Sequence, residues 1–208
     1  MSKLKEHNLY LVLSGECGKG RPAAEIARLA ISGGVDILQM REKTLPRSEL
    51  KELGSELRKI CYGSRVKFIV NDDPVLAGEL NADGVHLGQD DLKKYSLEDT
   101  RKLLGTDKIV GISTHSLEQF KEANESDIDY IAFGPVFPTK TKDYFIGTED
   151  VEEVLRLAKK PIVFIGGINL DNMDILLGKG AKNIALIRAI LEAPDIEKAA
   201  ADFKKKLV

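Results

Sequence analysis

Short apolar runs recur along the whole chain, at residues 9–13, 35–40, 66–70, 84–87, 109–112, 130–133, 162–165 and 184–187. Each is rich in Ile, Val or Leu and does not alternate with polar residues. That is the pattern of strands buried on both faces, as in a parallel sheet. Amphipathic stretches lie between them. Residues 23–31 and 47–60 carry apolar positions three and four apart, with Leu50, Leu53, Leu57 and Ile60 on one side of the second. Residues 97–104, 117–123, 151–158, 170–177 and 196–203 supply further helices, and a short one is expected at 74–79. Pro74 suits a first helical turn, where its missing N–H has no partner to lose. Gly33, Gly78, Gly105, Gly178 and Gly180 fall where helices should stop.

Eight strand–helix units in unbroken succession predict an α/β fold, a (β/α)8 TIM barrel, with an open doubly wound sheet as the runner-up. No composition shift, linker or low-complexity segment divides the chain, so residues 1–208 are read as a single catalytic domain. Apolar residues make up 43 % of the 208, enough for one sizeable core. A formal net charge of −2 gives no pull toward nucleic acid or membrane, so an anionic substrate would need local cationic clusters. Cys17 and Cys61 lack metal-ligand or CxxC spacing and read as free thiols of a reducing compartment. The amino end, MSKLKEHNLYLVLSG, is too short in its apolar run to span a bilayer and reads as the first strand. A soluble, cytoplasmic protein is expected, and a homo-oligomer is left open.

Polar residues cluster just after the strands, which in a barrel is the active-site rim. Gln39, Arg41 and Lys43 follow the second run, and Asn71, Asp72 and Asp73 the third. The fourth continues into Gly88-Gln89-Asp90-Asp91, and the fifth ends in Ser113-Thr114-His115. Gly134 to Lys142 follow the sixth, Gly166-Gly167 the seventh and Arg188 the eighth. Arg41 and Lys43, two apart, leave an extended segment on the same side, and two cations over one pocket call for an anion; a solvated loop pair is the plain alternative. Asp72 and Asp91 read either as helix caps or as neighbouring carboxylates suited to Mg2+. Asp73 and Asp90 are expected to cap helices or face solvent. Thr139, Lys140 and Thr141 form either a stiff turn or a phosphate wrap. Gly166-Gly167 serves either a tight crossing or close backbone approach to a phosphate. His86 and His115 are assigned structural roles.

The segments Gln39-x-Arg41-x-Lys43, Val70-Asn71-Asp72, Asp83 to Asp91, Gly134 to Lys142 and Ile165-Gly166-Gly167-Ile168 together resemble thiamine-phosphate synthase, in the family's order and over nearly the whole chain. The resemblance implies that hydroxymethylpyrimidine diphosphate is joined to thiazole phosphate, with release of pyrophosphate, through a pyrimidine-methyl cation. It implies Mg2+ on Asp72 and Asp91. It implies diphosphate contacts from Arg41, Lys43, Asn71 and Lys142, and Ser113 at the pyrophosphate or cation side. Arg41, Lys43, Ser113 and Lys142 are the residues it marks as catalytic. Gln39 would bond the aminopyrimidine. Thr139, Thr141 and Gly167, with backbone groups of Ile187 and Arg188, would hold the thiazole phosphate. Two departures stand out: Arg188 where the family usually has serine, and Asp73 where arginine is common. Two other functions compete. A thiazole tautomerase-like barrel would use a histidine after the sixth strand, where this chain reads Gly134-Pro135. A non-catalytic barrel would bind a thiamine precursor without turnover.

Overall fold

The computed structural model describes Leu4 and residues 7–208. Residues 1–3, 5 and 6, part of the amino end read above, lie outside the described residues. Every predicted run is a strand. In chain order they are β1 (Leu9–Leu13), β2 (Ile37–Met40), β3 (Lys67–Asn71), β4 (Gly84–Leu87), β5 (Ile109–Thr114), β6 (Tyr130–Phe133), β7 (Ile162–Ile165) and β8 (Ile184–Leu186). Each pairs in parallel with the next, and β8 returns to pair with β1, Ala185 opposite Tyr10. The barrel is closed, so the open-sheet alternative is set aside.

The helices are α1 (Ala23–Ser32), α2 (Arg47–Ser64), α3 (Pro74–Glu79), α4 (Asp91–Lys94), α5 (Leu97–Leu104), α6 (Leu117–Glu125), α7 (Val151–Leu157), α8 (Met173–Gly178), α9 (Arg188–Leu191) and α10 (Ile196–Leu207). Three short elements were not predicted: α4, α9 and a 3-10 turn at Gly15–Cys17. None is long enough to show a 3.6-residue period. The helix expected from residue 170 starts three residues later, because Asn169 Oδ1 accepts from the N–H groups of Asp171 and Asn172 and holds a turn there. Val35 and Val66 stay outside their strands, since their N–H groups close the ends of α1 and α2 on Ala30 O and Cys61 O.

Successive strand residues point to opposite faces. Leu9, Leu11, Leu13, Leu38, Phe68 and Val110 pack outward under the helices. Tyr10, Val12, Ile37, Ile69, Ile109, Tyr130 and Val163 fill the barrel interior. Both faces are apolar, which is why the runs do not alternate. Burying each such side chain contributes roughly 1.5–3 kcal/mol.

At the amino-terminal rim the same polar device recurs. Asp36, Asp83 and Asp129 each immediately precede an even-numbered strand. Their carboxylates accept from Leu9 N at 2.8 Å, Phe68 N at 2.9 Å and Val110 N at 2.8 Å. Each acid also meets a cation: Lys204 at 2.7 Å, Lys67 at 3.8 Å and Arg101 at 2.8 Å respectively. Asn183, before β8, accepts from Asn8 N at 3.1 Å across the closing seam. Cys17 and Cys61 are buried free thiols. No helix among the described residues is long and apolar enough to cross a membrane.

Candidate active site

A cavity of about 710 Å³ opens at the carboxyl rim. All the residues marked in the sequence as site residues line it: Gln39, Arg41 and Lys43 from the β2 end, Asn71 and Asp72 from the β3 end, and Asp91 after β4. Ser113 enters from β5, Thr139, Thr141 and Lys142 from the loop after β6, Gly167 after β7, and Ile187 and Arg188 after β8. Residues scattered over some 150 positions meet because each sits in the carboxyl-terminal part of its strand or in the loop that follows it.

Of the cations of this rim, Arg188 pairs with Glu192, while three others form no such pair. Among the described residues Arg41, Lys43 and Lys142 make no salt bridge. Lys142 Nζ lies 5.9 Å from the ring centre of Tyr144. Cations that converge on one cavity without forming ion pairs attract anions. The departure at Asp73 has a local explanation. Its carboxylate caps α3 by accepting from Leu76 N at 2.8 Å, and it pairs with Arg47. Asp90 is exposed and pairs with Lys93 at 2.6 Å.

The two carboxylates behave differently. Asp72 has a left-handed backbone, φ +65°, uncommon for a residue with a Cβ and costing on the order of 1–3 kcal/mol. Its side chain caps no helix. It lies within hydrogen-bonding reach of Asp91, whose Oδ2 accepts from Gly88 N at 2.8 Å. Burial, then the contact with Asp91 and its charge, push Asp72 up to about 6, while Lys43 and Arg41 pull it back. Two acids in contact favour a cation between them. Among the described residues no third acid, histidine or cysteine joins them in a metal-holding cluster. That donor set fits Mg2+, which takes one or two carboxylates and fills its octahedron with water and phosphate oxygens.

The loop after β6 is braced against β7. Val136 N and Phe137 N donate to Ile165 O and Gly166 O at 2.9 and 3.0 Å. Thr141 N donates to Thr139 Oγ1 at 3.3 Å. A Cβ on Gly166 would come within 2.2 Å of Pro135 Cβ, and one on Gly167 within 2.3 Å of Pro138 O. The tight-crossing reading of this glycine pair is therefore correct, and both glycines still line the cavity. His115 Nδ1 meets Gly134 O at 2.6 Å, consistent with its structural assignment. Arg188 pairs with Glu192 one turn along α9. Both line the cavity, and the Arg188 Nε is buried without a hydrogen-bond partner.

Four residues of the barrel interior escaped the sequence reading as site residues, and three of them, Tyr10, His86 and Tyr130, line the cavity. Tyr10 and Tyr130 are buried inside the barrel with their hydroxyls 2.9 Å apart. His86 Nδ1 lies 2.8 Å from the Tyr130 hydroxyl, and its Nε2 lies 2.8 Å from Ser113 Oγ. Burial pulls His86 down to about 4. Gly111 makes the space: a Cβ there would sit 2.1 Å from the Tyr130 ring. A glycine inside an apolar strand signals such a close approach, and that signal was available in the sequence.

The family model described as thiamine monophosphate synthase matches residues 9–190. The chain belongs to the thiamine monophosphate synthase family. It is accordingly an enzyme of the transferase class. The thiamine-phosphate synthase of Shouchella clausii is 40 % identical over 199 residues, covering 94 % of each chain. That of Persephonella marina is 38 % identical over 192 residues, covering 91 % of this chain and 90 % of the relative. A solved structure, thiamine phosphate pyrophosphorylase from Pyrococcus furiosus, is similar at a TM-score of 0.87 and 34 % identity, over 97 % of this chain and 95 % of that one. Orotidine 5'-phosphate decarboxylase from Pyrococcus horikoshii shares the fold alone, at a TM-score of 0.66 and 15 % identity. The family's substrates are small molecules.

Proposed function

We propose that this cavity joins hydroxymethylpyrimidine diphosphate to thiazole phosphate, giving thiamine phosphate and pyrophosphate. Arg41, Lys43, Asn71 and Lys142 bind the diphosphate oxygens. Asp72 and Asp91 hold Mg2+, which supplies positive charge to those oxygens when bound. Gln39 bonds the aminopyrimidine, and Ser113 faces the pyrophosphate. Thr139, Thr141 and Gly167, with the backbone of Ile187 and Arg188, hold the thiazole phosphate. The carbon–oxygen bond to pyrophosphate breaks first, and its electron pair leaves with the pyrophosphate. The pyrimidine-methyl cation that remains accepts the lone pair of the thiazole nitrogen, forming the new carbon–nitrogen bond. Neither step needs a protein nucleophile. The protein's work is to align two rings and to stabilise a departing polyanion.

The observation that carries this reading is the pairing of three cations free of salt bridges with two carboxylates in contact, around one cavity of about 710 Å³. The reaction also fits a cytoplasmic enzyme. A pyrophosphate-release assay tests it. Product is expected only with both phosphorylated substrates and Mg2+, and chelation should abolish it. Absence of thiamine phosphate at saturating substrates and metal would refute the reading.

A further inference from the structure

Five side chains form an unbroken hydrogen-bond path through the barrel interior. Gln39 Nε2 donates to the Tyr10 hydroxyl at 2.8 Å. The path continues to the Tyr130 hydroxyl at 2.9 Å, to His86 Nδ1 at 2.8 Å, and from His86 Nε2 to Ser113 Oγ at 2.8 Å. Gln39, at 3 % exposed, is as buried as the three middle members, Tyr10 at 2 %, Tyr130 at 1 % and His86 at 7 %. All five line the cavity, with Gln39 and Ser113 at the two ends of the path. A network present only to satisfy buried polar atoms would need no members opening on a ligand cavity.

The donors can be counted. An amide N–H only donates, so Tyr10 accepts from Gln39 and must give its own proton to Tyr130. Tyr130 then gives its proton to His86 Nδ1. A neutral imidazole whose Nδ1 accepts carries its proton on Nε2, which donates to Ser113 Oγ. Ser113 is left with a free proton to give to the cavity. Turning the Gln39 amide by half a turn reverses each link, and Ser113 then offers the cavity only lone pairs. Burial supports this count, because it keeps His86 neutral near pH 7 and raises both phenols well above their ordinary value.

We infer that Tyr10, Tyr130 and His86 are positioning residues that tie the amide orientation of Gln39 to the hydroxyl direction of Ser113. The inference rests on the proposed function for its ligands. An aminopyrimidine that donates its exocyclic N–H to Gln39 Oε1 leaves Nε2 for Tyr10. That is the direction that makes Ser113 a donor toward the leaving pyrophosphate. Recognition of the ring at one wall thereby arms the other, and a ring lacking that N–H would not. Gly111 is part of the device, since only a residue without a Cβ lets the Tyr130 ring reach His86.

Two measurements test this. The first is kinetic. Tyr130→Phe keeps the ring and removes one oxygen, and should lower kcat about tenfold with little change in the KM for thiazole phosphate. Ser113→Ala should lower kcat as much or more. The double variant should be within about twofold of Ser113→Ala alone. Full multiplication of the two single effects would overturn the coupling. His86→Gln, which can still accept and donate, should retain about tenfold more turnover than His86→Leu. The second is spectroscopic and needs no turnover. In full-length protein labelled at histidine nitrogen, with hydroxymethylpyrimidine bound, His86 should carry its proton on Nε2. Gln39→Glu at pH 8, whose carboxylate only accepts, should move that proton to Nδ1. An unmoved proton would refute the relay even in a protein that makes no thiamine phosphate, whereas loss of activity in the wild type with the proton shift intact would refute only the assigned reaction.

Discussion

Asp36, Asp83 and Asp129 at the amino-terminal rim and Asp72 and Asp91 at the carboxyl rim are the same residue type at opposite ends of the same strands. At the amino-terminal rim each carboxylate accepts from a strand N–H and meets a lysine or arginine. At the carboxyl rim the two carboxylates lie within hydrogen-bonding reach of each other, and among the described residues Arg41, Lys43 and Lys142 form no salt bridge, although Arg41 and Lys43 are near enough to Asp72 to favour its charged form. Paired charge closes the barrel; unpaired charge waits for a ligand. The left-handed backbone at Asp72 belongs to the second pattern, because strain persists where the surrounding structure holds it for a purpose. Mutations at the two rims should therefore separate turnover from stability.

The largest effect is expected at Asp91. Asp91→Asn keeps an oxygen to accept from Gly88 N and removes one of the two contacting negative charges. Turnover should fall by about 10³-fold, on the order of 4 kcal/mol of transition-state stabilisation. Thermal stability should hold or rise slightly, because the repulsion with Asp72 is relieved. Steady-state kinetics beside a melting curve decides it. A variant with an undiminished rate would remove Asp91 from the metal site.

Asp129→Ala is the converse. It deprives Val110 N of its acceptor and removes the 2.8 Å partner of Arg101, whose side chain is 12 % exposed and keeps only the exposed Asp127 carboxylate at 3.2 Å as an acidic partner among the described residues. Removing one member of a buried pair costs roughly 3–5 kcal/mol, and the position at the rim places this one near about 3 kcal/mol. Urea unfolding should show that loss with kcat and KM unchanged below the new transition. A large fall in kcat with unaltered stability would break the division between the rims.

The barrel was legible because most strand positions are apolar on both faces, so runs such as Leu9 to Leu13 read as continuous hydrophobicity, interrupted in others by single polar residues such as Gln39, Lys67 and His86. The rim was legible because polar and glycine residues, Arg41 and Asn71 among them, cluster at the carboxyl ends of seven of the eight runs. The polar interior was not. Tyr10 and Tyr130 count as apolar in such a pattern, and His86 sits inside a strand, so a path linking hydroxyls of β1 and β6 to an imidazole of β4 leaves no local trace. The helix cap at Asp73 was expected from the sequence, but its ion pair was not: its partner Arg47 lies 26 positions away, and only the fold brings them together. Short elements such as α9 escaped because four residues make barely one turn.

Arg188 and Glu192 are the exception on the carboxyl rim, a charged pair where the neighbouring cations are free. The hydrogen bond from Arg188 is the main cause that holds Glu192 below the usual carboxylate range, so the carboxylate is charged and offsets most of the guanidinium's pull on an anion. Half-exposed pairs of this kind contribute about 0–1 kcal/mol. Arg188→Ser should therefore raise the KM for thiazole phosphate by no more than about fivefold, leave kcat unchanged, and lessen the sensitivity of KM to added salt. Glu192→Gln, which frees the cation, should lower that KM. A fall in KM with Arg188→Ser would reverse the assignment: the arginine would then be an obstruction in the phosphate pocket, and the paired charge at this rim would serve closure of the site rather than capture of its ligand.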